Sequence, residues 1–186
     1  YRKAFAAAES IESLFSVSDK MLRVIAYIFE KLEEVTPLML QKLLYFIQGV
    51  YSALYARPIF EEDCRAWVHG PVYQEVYELL RDFKYNPIED ERFAIFKDRF
   101  EELDEHEKMV IDLVINTFGK YSGKVLEDIT HEENPWKNAR MGYEASEPSR
   151  EIISKDEIKN YFESVADKYG VDTEEKLNCY IQSYMK

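Results

Sequence analysis

Apolar residues recur at helical spacing along most of this chain. Leu22, Ile25, Ala26, Phe29 and Leu32 mark one stripe, with Ser18 or Asp19 placed to cap its start. Thr36-Pro37 reads as an N-cap followed by proline at the first helical position. It opens a stronger stripe of Leu40, Leu43, Leu44, Ile47, Val50, Tyr51, Leu54 and Tyr55. Gly49 lies inside that stripe. A glycine there costs about 1 kcal/mol against alanine, so its presence predicts close approach by a neighbour. Arg57-Pro58 ends the helix. Val72, Val76, Leu79, Leu80 and Phe83 predict another, broken by Asn86-Pro87, and Phe93, Phe96 and Phe100 share one further helical face.

Asp104 to Phe118 predicts a helix with acids in its first turns, where the helix dipole favours them, and Gly119 is its stop signal. Ser122 to Thr130 predicts a short helix with Val125, Leu126 and Ile129 inward, and Pro135-Trp136 opens another turn. Ser154 to Glu157 forms a capping box ahead of Ile158, Tyr161, Phe162, Val165 and Tyr169. Gly170 follows, and a last helix carries Leu177, Tyr180, Ile181 and Tyr184. Period-two alternation is confined to residues 64–69, with Ile152-Ile153 as a second short strand, and residues 141–150 read as loop. The expectation is a mainly α, compact multi-helix single domain with at most a small two-stranded β element. Residues 1–17 read as a leading helix, or a linker from a missing N-terminal module, and residues 18–186 as the domain itself. The chain opens on Tyr1 rather than Met, which implies that upstream residues have been removed.

At 186 residues, 46% hydrophobic and 32% charged, the chain is long enough to bury a core without metal or disulfide. The net charge of −12 changes the picture more. It argues against nucleic-acid binding by this chain and against anionic membranes, and favours basic partners. No apolar run is long enough to span a membrane. Cys64 and Cys179 form no close pair, which fits a reducing compartment, the cytoplasm.

Candidate chemistry is sparse. Three histidines and two cysteines show no zinc-ligand spacing, and residues 119–124 lack the order of a phosphate loop. A hydrolytic arrangement would draw a base from His69 or His131 and a nucleophile from Ser52, Ser122 or Cys64, but no nucleophile elbow accompanies them. His69 before Gly70-Pro71 suits a turn contact, and His131 at a helix end suits carbonyl capping. The run Glu61-Glu62-Asp63 and the acids from Glu101 to Glu107 read as solvated charge. Aromatics reach 15%, with 14 tyrosines. Tyr45, Tyr51, Tyr55, Tyr73 and Tyr77 do not all bury easily with satisfied hydroxyls, which points to protein recognition.

Ordered motifs add to this. Residues 36–49 (TPLMLQKLLYFIQG), 57–63 (RPIFEED) and 66–77 (AWVHGPVYQEVY) are followed by Leu126, by Thr130-His131-Glu132-Glu133, and by Pro135 to Arg140. Ile152-Ile153-Ser154 then leads into Asp156 to Lys159. Together, over residues 20–165, they resemble the Panacea, or SocA-type, antitoxin domain, a family that includes many phage-associated proteins. The resemblance implies a non-enzymatic antitoxin that binds and neutralises a cognate protein toxin encoded beside it, with no cofactor or metal. One branch of the family acts as an adaptor to protease machinery, which makes a protease a second implied partner. The alternative reading is the sensor or dimerisation domain of a phage-associated transcriptional regulator whose DNA-binding module lies upstream. Within the shared residues, Trp67, His69, Tyr73, His131 and Trp136 are expected to line a polar, partner-binding pocket where two loops bring the histidines together.

Overall fold

A computed structural model describes residues 16–84, 86–87 and 103–185. Among these are eight α-helices and one small sheet. The helices are α1 (Asp19–Lys31), α2 (Pro37–Tyr55), α3 (Gln74–Leu80), α4 (Glu105–Thr117), α5 (Gly123–His131), α6 (Asn134–Ala139), α7 (Lys155–Lys168) and α8 (Glu174–Gln182). The strands are β1 (Cys64–Trp67), β2 (Gly70–Tyr73) and β3 (Ile152–Ile153). The mainly α reading holds. The leading segment at 1–15 and the Phe93, Phe96 and Phe100 face lie outside the described residues.

α2 is the axis of the fold. It is the most apolar helix, buried on almost every side from Met39 to Ser52, as a helix enclosed by others must be. α4, α5, α7 and β2 pack around it. Gly49 is where α7 comes closest: a Cβ there would fall 2.3 Å from the Phe162 ring, so only glycine fits. Phe46 stacks on Phe118 at 3.9 Å between ring centres, joining α2 to the end of α4.

Helix starts follow the residues that signal them. The side chains of Ser18, Thr36, Ser122, Ser154 and Thr173 each accept from the backbone N–H three residues on. Asp104 and Glu107 form a full reciprocal capping box on α4, whereas at Ser154 only the forward bond to Glu157 N–H forms. Helix α2 stops earlier than Pro58 requires, at Ala56, which takes the left-handed conformation with φ 59°.

The sheet departs from expectation in two ways. It has three strands in the order β2-β1-β3, both pairings antiparallel, where a two-stranded element was expected. The third strand fits because Ile153 points into the core while Ile152 faces out, so two residues suffice to cover the far edge of β1. Val72 also belongs to β2 and not to the helix after it. It pairs with Arg65, and α3 starts only at Gln74.

Candidate functional site

The hairpin at residues 64–73 is the best-organised polar region, and it is gripped from both sides. From α2, Gln41 acts as a surrogate strand: its amide donates to Tyr73 O at 3.1 Å and its carbonyl accepts from Tyr73 N at 2.8 Å. One residue on, Lys42 Nζ donates to Pro71 O at 2.9 Å. Two turns further, Gln48 accepts from Ile59 N and Phe60 N and donates to Phe60 O, fixing the loop that enters β1. Gln41, Lys42 and Gln48, buried in a largely apolar helix, therefore have backbone partners, as buried polar groups require. Gly70, with φ +102°, lies so near Lys42 and Thr130 that a Cβ would come within 2.8 Å of both side chains.

From the other side, three consecutive carbonyls are read by three side chains. Arg140 Nη1 donates to Ala66 O at 3.0 Å, Trp136 Nε1 to Trp67 O at 2.7 Å, and His131 Nε2 to Val68 O at 3.1 Å. These donors are themselves stacked. The His131 ring lies 4.2 Å from Trp136 and nearly parallel to it, and the Arg140 guanidinium covers the other ring system at 5.2 Å. Burial holds the His131 imidazole below its ordinary value, so it donates as the neutral Nε2–H tautomer. It serves the hairpin turn rather than the carbonyls of its own helix.

His69 sits at that turn and is exposed. Its Nδ1 is 2.8 Å from Glu127 Oε1, and Lys124 reaches the other oxygen of Glu127 at 2.8 Å. Burial would raise the Glu127 carboxyl, but Lys124 and His69 overcome it and hold the group below the usual carboxylate range. The two histidines thus flank one turn, His131 through the Val68 carbonyl and His69 through a carboxylate on the same helix as His131. Two grooves described below, between α1, α4 and α8, are lined by none of the five expected residues.

The five residues divide. Trp67, His69, His131 and Trp136 share one face. Trp67 meets Tyr77 edge-on at 4.9 Å, and Tyr77 is 42% exposed. Tyr73 is not on this face: it is fully buried, edge-on to Phe60 at 5.5 Å. Tyr77 closes the motif at 66–77 without any local sign of this contact, and Glu127 carries no motif of its own.

The hydrolytic candidates do not assemble. Among the described residues, His69 and His131 hydrogen-bond only to Glu127 and Val68 O. Ser122 is a helix cap, and burial pushes the Cys64 thiol up to about 12, leaving it protonated. The acidic run is structural in part. Glu62 is buried and accepts from Ser18 N and Oγ, and Asp63 pairs with Lys155 at 2.8 Å. Among the described residues no group of three His, Cys, Asp or Glu side chains is arranged to hold a metal.

A second buried polar group lies at the C-terminal side. Glu133 is fully buried and accepts from the Tyr180 hydroxyl. Tyr180 shares hydrogen bonds with Tyr161 at 2.6 Å and Tyr184 at 3.2 Å, and Tyr161 with Tyr184 at 3.0 Å. Tyr45 Oη and Glu133 Oε1 are also buried and interact electrostatically, at a geometry short of a well-formed hydrogen bond. Burial raises the Glu133 carboxyl to about 8, against the opposing pull of the tyrosine hydroxyls.

The family model for the SocA-like antitoxin Panacea domain matches residues 40–137. The chain belongs to this family. The match runs from α2 through α6 and so contains both halves of the hairpin grip, Gln41-Lys42 and His131-Trp136, together with the hairpin they hold. No curated protein and no solved structure matches the chain significantly. No described helix is long and apolar enough to cross a membrane.

Proposed function

We propose that this Panacea-domain protein is a cytoplasmic antitoxin that neutralises a cognate protein toxin by direct binding, without catalysis. The observation that carries the reading is the family match over residues 40–137. The site chemistry supports it, because both histidines are committed to holding the hairpin turn instead of activating a nucleophile. The docking face in this reading is the aromatic surface of Trp67, Tyr77 and Trp136 with His69 at its edge, the residue types that anchor protein interfaces. Tyr73 and His131 support it from beneath. The net charge of −12 steers a basic toxin toward it, with an association rate that falls as salt rises.

The test is co-expression. The adjacent reading frame is induced alone and then with this chain. Growth arrest that is relieved, with the two proteins co-purifying, is the expected result. Arrest that this chain does not relieve would overturn the reading. Within a rescuing pair, Trp67→Ala and Trp136→Ala are expected to weaken binding at least about tenfold, a loss of about 1.4 kcal/mol each. Variants that fold normally and still neutralise fully would move the interface elsewhere.

A further inference from the structure

On the side built by α1, α4 and α8 the surface is concave. One groove, of about 510 Å³, lies between Tyr27 of α1, Met109, Asp112 and Leu113 of α4, and the residues leading into α8. A second, of about 400 Å³, shares Asn116 and Glu174 with it and continues past Ile115 to Gly119. The α4 residues that line the first, from Glu105 to Asn116, recur at three- and four-residue spacing, so they lie along one helix face and form a groove wall about 16 Å, or three turns, long.

The first groove has an apolar patch on its floor and carries four carboxylates, Glu105, Asp112, Asp172 and Glu174, against Lys108, whereas the second carries Lys31 and Lys120 beside Glu174. Met109 is 43% exposed, the half-buried Tyr27 ring lies beside it, and Leu113 is buried beneath. Asp112 accepts from the Tyr27 hydroxyl at 2.8 Å, and Glu174 from the Asn116 amide at 2.8 Å. Both donors are neutral, and among the described residues neither carboxylate forms an ion pair. Their positions are therefore fixed while their charges stay uncompensated. Asp172 and Glu105 differ: Lys176 reaches Asp172 at 2.8 Å and Lys108 reaches Glu105 at 3.9 Å. The Tyr27 hydroxyl feels the same negative surroundings. Burial and the neighbouring Asp112 push it up to about 12.

We propose that this groove seats a basic amphipathic helix of a protein partner. The helix lays its apolar stripe on Met109 and the Tyr27 ring and sets Arg or Lys side chains against Asp112 and Glu174. Length, an apolar floor and paired anionic anchors match the helix-in-groove mode of recognition, and the carboxylates reject phosphate-bearing ligands. The proposal adds a second surface to the antitoxin reading, and the experiment below separates the two.

The probe is a synthetic four-turn peptide with leucines at i, i+4, i+7 and i+11 flanked by arginines, titrated into the isotopically labelled full chain and followed by amide shifts. A scrambled peptide of the same composition is the control. Saturable shifts are expected at Met109, Asp112, Asn116 and Glu174. The variant Asp112→Asn/Glu174→Gln keeps both acceptors for Tyr27 and Asn116, and is expected to bind about tenfold more weakly. Met109→Ala, at an exposed position, is expected to weaken binding about threefold. Shifts that map to the hairpin face, equal binding by the scrambled peptide, or undiminished binding by the double variant would each overturn the proposal. The double variant is also run in the co-expression assay. Groove binding without toxin rescue defeats the antitoxin reading and leaves the groove standing. Toxin rescue without peptide seating does the reverse.

Discussion

The hairpin and the tyrosine cluster each bury a titratable group, and they hold it in opposite ways. Lys42 and Gln41 are bonded to backbone atoms of β2, whose positions the sheet already fixes. Glu133 is bonded to tyrosine hydroxyls, which rotate and can trade partners among themselves. A backbone partner demands one side chain of one length. A hydroxyl cluster tolerates replacement, because Tyr161, Tyr180 and Tyr184 are each bonded to the other two. The hairpin is therefore the brittle polar site and the tyrosine cluster the forgiving one.

The sharpest way to break this contrast is a pair of substitutions. Gln41→Leu leaves the Tyr73 N–H and C=O buried and unpaired, and is expected to cost about 3 kcal/mol. Glu133→Gln is expected to cost less than about 1 kcal/mol at pH 6, since glutamine still accepts from Tyr180. Urea unfolding of both checks it, and equal losses would abolish the distinction.

A pH titration sharpens the comparison further. Glu133 has its folded value raised to about 8, so the folded state holds a proton that the unfolded chain gives up above the ordinary carboxylate range. Stability from this group is present at low pH and is lost as pH rises to about 8. Burial lowers Lys42 to about 8, so above that pH the unfolded chain binds the extra proton. Stability then climbs toward the ordinary lysine value. The two limbs meet in a minimum near pH 8, the lower with an amplitude on the order of 5 kcal/mol and the upper on the order of 3 kcal/mol. Glu133→Gln should flatten only the lower limb and Lys42→Met only the upper one, read as stability differences from the parent across pH. The smallest expected effect is at Tyr184→Phe, below about 0.5 kcal/mol, because Tyr161 and Tyr180 remain bonded to each other without it.

The same difference explains what the sequence made legible. Helices announced themselves through apolar stripes and through Ser18, Thr36, Ser122 and Ser154, because caps and periodicity are local physics. Gly49 foretold a close neighbour, and Phe162 is that neighbour. The residues of the hairpin grip stood inside recognisable motifs, but their partners lay tens of residues away, so their roles were not readable. From local sequence His131 suits its own helix end for that reason, and Tyr73, two residues after Gly70-Pro71, carries no sign of which face it takes. Glu133 stands in the motif Thr130-His131-Glu132-Glu133, but nothing local marks it as buried. A glutamate before Asn134-Pro135 looks like any solvated acid until α7 and α8 are folded over it.

One feature of the sheet bears on how the protein is made. β1 is the middle strand, and its second neighbour, β3, comes from residues 152–153, beyond the end of the family match at 137. During synthesis the hairpin and its grip leave the ribosome first, with one side of β1 still unsealed. An unsealed strand recruits whatever other strand it meets. Until Ile153 and α7 emerge, that edge of β1 is open to foreign strands, and a fragment trimmed to the matched region would keep it open.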